Sequence, residues 1–317
     1  MNIITPIDRI EEIGPLLSEG VNEFYGGFIP QEWLDKYTIY ASINQRYFQS
    51  AQIKTFDDMK TIIDEVHRMG KKFYFTMNST LYSPGQYDMV EKLLPKLKEV
   101  GVDEVIVADL GLILLINKLD IDMPVHISTL GKAYNHKTVE LYRELGIRRI
   151  VFPRHLTLDE MKHMAKMCPD MEYDIFMLIG KCPNIEGYCT FQHTSEKKRW
   201  PCEIKYDITE TGGAKDAERF IDAHRLWSTV ERRNGCGLCA LKQLGDFKVR
   251  ALKIVGRGAP LTMKVKNVKL LNYAVSLLDE DISDTQYYQK VKAAFKERFA
   301  SDCTPQNCYY PEFFNLS

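Results

Sequence analysis

Phe56-Asp-Asp-Met-Lys-Thr-Ile-Ile-Asp-Glu-Val-His-Arg-Met-Gly70-Lys-Lys-Phe-Tyr-Phe-Thr-Met77 holds a helix, a stop and a strand in one run. Phe56, Met59, Ile62, Ile63, Val66 and Met69 recur with a helical period, Gly70 ends the run, and Lys72 to Met77 is rich in β-formers. The phrase repeats downstream. Met89 to Val100 reads as helix, Gly101 closes it, and Val102 to Ala108 reads as strand. Helix Leu112 to Leu119 precedes strand Val125 to Ser128; helix Thr138 to Leu145, closed by Gly146, precedes strand Arg149 to Phe152. Helix Leu158 to Met167 precedes strand Tyr173 to Leu178. Upstream, the Gly20 turn leads into Glu23-Phe24-Tyr25 and Gly26-Gly27; far downstream, Ala251 to Val255 is the last strand. Such alternation means βα units and a parallel sheet. More than five units, with no GxGxxG after the first strand, favour a (β/α)8 TIM-like barrel in the α/β class.

The rhythm breaks between Gly180 and Gly245, where Cys, Gly, Pro and charge accumulate. This cysteine-rich insertion falls between the seventh and eighth strands, so it belongs at the C-terminal face, where barrel enzymes build active sites. Helical patterning returns from Asn267 to Ala300. Residues 1–300 are therefore expected to form a single barrel domain, followed by an aromatic tail, 301–317. The tail carries Cys303, Cys308, Tyr309, Tyr310, Phe313 and Phe314, and either folds back over the barrel or packs on a partner.

The 317 residues carry a formal net charge of -1, with 45% hydrophobic residues, enough for a normal core. That balance argues against a dedicated nucleic-acid binder without excluding a local basic groove. Met1 to Ile10 lacks the basic and apolar regions of a signal peptide. The longest apolar run, Val105 to Ile116, contains Asp109 and is too short to span a bilayer. A cytoplasmic protein that does not enter the membrane is expected.

Eight cysteines are present; the first is Cys168, and Cys182, Cys189, Cys202, Cys236 and Cys239 crowd the insertion. In a reducing compartment they are not structural disulfides. Soft thiolates on loops suit an iron–sulfur cluster or zinc. Structural zinc sites usually pair one CxxC with another or with two histidines, and only Cys236-x2-Cys239 is present here. Spacing alone leaves cluster, zinc and unliganded thiols open.

Around these cysteines the chain resembles the U-32 collagenase-like peptidase family. Asp174-Ile-Phe176 followed by Cys182-x6-Cys189 is similar to its E-x-F-x-x-G-x-x-C-x6-C signature. Cys239-Ala240-Leu241 and Ala251-Leu-Lys253-Ile-Val-Gly256-Arg257 resemble its D-L-C-A-L and S-L-K-I-E-G-R. Gly20 to Gly27, Gly70 to Asn78, Val102 to Gly111, His126-Ile-Ser-Thr129 and Asn135 also fall in register. The resemblance covers about residues 10–270. It implies a (β/α)8-like barrel and a 4Fe–4S cluster held by Cys182, Cys189, Cys202 and Cys239, with Cys236 the alternative fourth ligand. It also implies oxygen-independent hydroxylation of ubiquinone precursors or of nucleobases in transfer and ribosomal RNA, with prephenate as oxygen donor. The pattern departs at Asp174, Val255, Arg154-His155 and Ser128-Thr129-Leu130.

Other candidates stand at predicted strand ends. Lys253 and Arg257 lie in a stretch with no acidic residue from Lys248 to Leu271, and read as an anion site or a solvated stripe. His126 and His155 read as acid–base groups or as hydrogen-bonded structural residues. Asp109 and Asn78 read as working groups or helix caps, and Arg154 as a catalytic or anion-holding residue. His193, Lys197, Lys198, Arg199 and Trp200 could contact RNA or simply be solvated. Glycosidase carboxylate pairs, a G-x-S-x-G elbow, a Walker loop and H-E-x-x-H are absent. The leading expectation is a cluster-dependent, oxygen-independent hydroxylase. Compact length favours a small aromatic substrate over RNA. The alternatives are a peptidase or a non-catalytic, cluster-containing partner subunit. A homo- or heterodimer with a related subunit is among the expected assemblies.

Overall fold

The computed structural model describes residues 1–37, 41–46, 48–182, 185–188, 208–213, 216–222, 234–245 and 247–314. Eight parallel strands close into a barrel in chain order: β1 (Asn2–Pro6), β2 (Glu23–Gly26), β3 (Lys72–Met77), β4 (Glu104–Val107), β5 (Val125–Ile127), β6 (Arg149–Val151), β7 (Glu172–Leu178) and β8 (Val249–Ile254). The seam is β1 against β8, with Ile3 opposite Leu252.

The quoted run folds as read. Thr55 caps the helix Phe56–Arg68 by accepting from Asp58 N at 3.0 Å, and Met59, Ile62, Ile63 and Val66 are buried. Two boundaries move. The helix Pro84–Glu99 starts before Met89, because Ser83 and Gln86 form a capping box with Pro84 in the first turn. The span Asn267 to Ala300 is two helices, Leu261–Ser276 and Asp284–Phe299, the second restarted by a Ser283/Gln286 capping box.

Successive strand residues face opposite ways. Phe24, Phe73, Phe75, Val105, Val107, Ile127, Ile150, Leu252 and Ile254 pack outward under the helices. Ile4, Tyr25, Tyr74, Ile106 and Ala251 form a separate cluster inside the barrel. The interior also holds charge, since Glu23, His126, Arg149, Asp174 and Lys253 are all buried. A fully apolar barrel core would be simpler to bury, so these groups need a reason.

The aromatic tail folds back. Cys236 N donates to Asn307 O at 2.9 Å and Tyr309 N to Cys236 O at 2.8 Å, so the tail pairs with the β7–β8 connection. Gly235 and Gly237 permit this close approach: a Cβ on either would stand 2.6 Å and 2.8 Å from the Tyr309 and Tyr310 rings. Among the described residues, no helix is long and apolar enough to cross a membrane.

Candidate active site at the barrel mouth

The lower half of the barrel holds a polar network centred on Arg149. Arg149, the first residue of β6, donates from Nη2 to Glu23 Oε2 at 2.5 Å, from Nη1 to Tyr74 OH at 2.9 Å and from Nε to Asp174 Oδ1 at 3.0 Å. His126 Nε2 stands 3.0 Å from Asp174 Oδ2, off the line of a straight hydrogen bond. Burial by itself raises Asp174, but Arg149, His126 and Lys253 outweigh it and hold the carboxyl at about 2. Burial, then Arg149, lower His126 to about 4. The imidazole is therefore neutral at pH 7.

Above this floor stands Lys253 on β8. Its side chain is buried, and Nζ has no hydrogen-bond partner among the described residues. It lies 4.0 Å from the centroid of the Tyr25 ring, a cation–π contact. Burial lowers its pKa to about 8, against the partial support of Asp174. Asn78, just beyond β3, donates to Ser128 Oγ at 3.2 Å, while its buried Oδ1 is unsatisfied among the described residues. Burying an ammonium and an amide oxygen without partners is costly. Both belong to groups at the C-terminal ends of strands, where a ligand enters.

The neighbouring cations are occupied. Arg257 donates to Ala51 O, Asn44 O, Thr76 Oγ1 and Gln52 Oε1, so it ties the loop after β2 to β3. Gly27 makes room for it: a Cβ there would stand 2.3 Å from Arg257 Nη2. Lys264, from the same basic stretch, is buried against Asp8 at 2.6 Å and Glu12 at 2.7 Å. Arg250 reaches Glu23 and Glu172, and Lys269 reaches Glu19. Carboxylates from elsewhere in the chain meet Lys264, Arg250 and Lys269, and neutral oxygens hold Arg257; Lys253 is the buried cation of the stretch that has no hydrogen-bond partner among the described residues.

Arg154 is likewise held. Its Nε donates to Glu186 Oε1 at 2.8 Å, its main-chain N to Oε2 at 2.7 Å, and Nη1 to Gly180 O. The guanidinium carbon lies 4.6 Å from the Phe176 ring centroid and 5.9 Å from that of Tyr309. Glu186 sits between Cys182 and Cys189 in the chain and is almost wholly buried. Nothing in its local sequence separates it from a solvated loop carboxylate. Its buried role emerges only from folding onto β5 and β6. Asp109 caps the helix Leu110–Leu119 by accepting from Leu112 N at 2.8 Å, and also accepts from the Tyr87 hydroxyl. His155 is exposed on the turn after β6. The mouth thus gathers Lys253, Asn78 and Arg154, while His126 lies in the interior beside the floor, Asp109 caps a helix and His155 faces out.

Cys182 is half-buried, and Cys236 and Cys239 are buried. Burial, then the facing thiol of Cys308, pushes Cys239 up to about 12, and burial followed by Cys239 raises Cys236. Cys189, Cys202 and the basic stretch His193 to Trp200 lie outside the described residues. Among the described residues, no three His, Cys, Asp or Glu side chains are grouped to hold a metal. The chemistry of the donor set still fits a soft metal centre, because cysteine thiolates are soft ligands and Cys182, Cys236 and Cys239 all lie on the β7–β8 connection.

The model of Peptidase family U32 matches residues 11–310. Among curated relatives, tRNA hydroxylation protein P of Helicobacter pylori (strain J99) is 29% identical over 313 residues, covering 95% of this chain and 71% of that protein. The protein of the same name from Escherichia coli (strain K12) is 32% identical over 133 residues, 42% of this chain and 29% of that protein. The 23S rRNA 5-hydroxycytidine C2501 synthase of Escherichia coli (strain K12) is 25% identical over 222 residues, 67% of this chain and 31% of that protein. The chain thus spans less than a third of the length of either Escherichia coli relative.

Proposed function

The chain belongs to Peptidase family U32, and from that premise we propose that it is an iron–sulfur-dependent, oxygen-independent hydroxylase of a nucleobase in RNA. The names of its relatives support RNA over the small aromatic molecule that chain length alone favoured. The observation that carries the reading is Lys253, buried at the barrel mouth with no hydrogen-bond partner among the described residues.

In this reading Cys182, Cys189, Cys202 and Cys239 hold the 4Fe–4S cluster, with Cys236 the alternative to Cys239 and zinc the alternative metal. Bound there, the cluster supplies redox chemistry beside the mouth. The chain's own residues do the rest. At pH 7 a lysine titrating near 8 is mostly protonated, so Lys253 offers a charge to the carboxylate of a prephenate-like oxygen donor. Asn78 offers its unsatisfied Oδ1 to an N–H donor, such as the amino edge of a base. The buried Tyr25 and Phe176 rings back the two cations, Lys253 over the first and Arg154 over the second. The Arg149 network holds the floor in place, because each guanidinium nitrogen has an acceptor.

The test is to delete the gene, digest total transfer and ribosomal RNA, and analyse the nucleosides by mass spectrometry. The wild type should contain a hydroxylated nucleoside that the deletion lacks, and the anaerobically purified protein should contain iron and acid-labile sulfide. Unchanged nucleosides after deletion would remove the RNA assignment; a colourless, iron-free anaerobic preparation would remove the cofactor.

A further inference from the structure

We infer that Glu186, acting through Arg154, is a positioning residue that seats the loop carrying Cys182 against the barrel mouth. The inference rests on the reading of that loop as part of the cofactor site.

A carboxylate that is 1% exposed persists only when its oxygens are fully paired. Oε1 of Glu186 receives Arg154 Nε at 2.8 Å and Arg154 Nη2. Oε2 receives the Arg154 main-chain N at 2.7 Å and the Thr129 hydroxyl at 2.8 Å. Those donors come from the ends of β5 and β6, so one side chain fastens the loop to two barrel strands. The Tyr134 hydroxyl donates to the carbonyl of the same residue. Gly187, at φ +80°, presses on the same wall, where a Cβ would stand 2.6 Å from Leu130 O.

The other arm of the loop is held by the same guanidinium. Arg154 Nη1 donates to Gly180 O, which also accepts from Tyr309 OH at 2.8 Å. Cys182 lies between the two anchored points, Gly180 and Glu186. Arg154 meanwhile rests on Phe176 in the mouth. One planar, five-donor group therefore links the substrate face, both arms of the cysteine loop and the tail, a task lysine cannot perform with a single ammonium. Groups that orient metal ligands from behind typically change metal affinity or activity 10–100-fold when removed.

The experiment compares wild type, Glu186→Gln, Arg154→Lys and the double variant Arg154→Gln/Glu186→Gln. Two readouts are taken: the anaerobic rate of iron release to a chelator, and amide hydrogen exchange of Ile185 to Tyr188 in the iron-free protein. Glu186→Gln should release iron roughly 10-fold faster or more, without loss of the four cysteines, and should exchange faster at Ile185 to Tyr188. Arg154→Lys should resemble Glu186→Gln, and the double variant should add little to either, the mark of groups acting as a unit. Should Glu186→Gln not fold, Thr129→Val removes a single donor and should accelerate exchange roughly fivefold, the worth of one hydrogen bond. Unchanged exchange at Ile185 to Tyr188 overturns the inference whether or not iron is present. A wild type that binds no iron, but whose exchange responds to Glu186→Gln, leaves the anchoring intact and overturns the cofactor reading instead.

Discussion

Arg149 and Lys253 are both cations buried inside the same barrel, yet their surroundings are opposite. Arg149 meets Glu23, Asp174 and a tyrosine hydroxyl. Lys253 meets the face of Tyr25 and no acceptor among the described residues. The guanidinium in the floor meets its counter-charges and reads as structure. The mouth is incomplete and reads as a place prepared for something else. Burial alone does not distinguish the two; the count of satisfied partners does.

Breaking the floor should have the largest effect on stability. Arg149→Met leaves Glu23 with only the longer Arg250 contact and Asp174 with only Lys253 as nearby positive charge, and should lower unfolding free energy by about 3–5 kcal/mol, measured by urea denaturation. A loss near zero would mean that the network contributes no more than a surface pair.

The two regions should also respond to opposite ends of the pH scale. Lys253 has a folded pKa near 8 against 10.5 unfolded, so the unfolded chain binds more protons between those values. Stability should therefore rise as pH increases from about 8 to 10.5, by on the order of 3 kcal/mol at most. Lys253→Met should abolish that rise, and an anionic ligand should bind the wild type less tightly as pH passes 8. His126, near 4 in the fold and 6.5 unfolded, works the other way: stability falls as pH drops from 6.5 towards 4, and His126→Gln should flatten that limb. Asp174 adds a further loss as pH falls from 3.8 to about 2. Thermal melts across pH would show both limbs, and a flat profile above pH 8 would contradict the isolation of Lys253.

The smallest effect is expected outside both regions. Asp109→Ala removes a helix cap and should lower stability by about 1 kcal/mol while leaving hydroxylation within twofold of wild type. A complete loss of activity without loss of stability would return Asp109 to the list of catalytic groups.

The barrel was legible because helix, glycine and apolar strand follow each other locally, as in Phe56 to Met77. β1 escaped because Asn2 to Pro6 is short and without a turn signal of its own, and it becomes a strand by closing the seam with β8 at the far end of the chain. The same distance problem governs the site. Lys253 and Asn78 were legible as strand-end polar groups. Lys264 read as part of a basic anion site because its partners Asp8 and Glu12 lie at the other end of the sequence. Arg154 read as a ligand-holding residue because Glu186, which occupies it, looks like any charged residue in a cysteine-rich loop. Pairing across long separations turns candidate catalysts into scaffolding, and local patterns carry no record of it.

The most direct measurement is complementation of the gene deletion with Lys253→Met, read by nucleoside mass spectrometry alongside a denaturation curve of the purified variant. Methionine replaces an unpaired buried amine with an apolar chain of similar length, so the denaturation midpoint should equal or exceed that of wild type. The hydroxylated nucleoside should fall at least ~100-fold, the scale on which a pre-placed charge acts. A stable Lys253→Met protein that restores the nucleoside in full would show that the mouth of this barrel does not depend on its unpaired lysine.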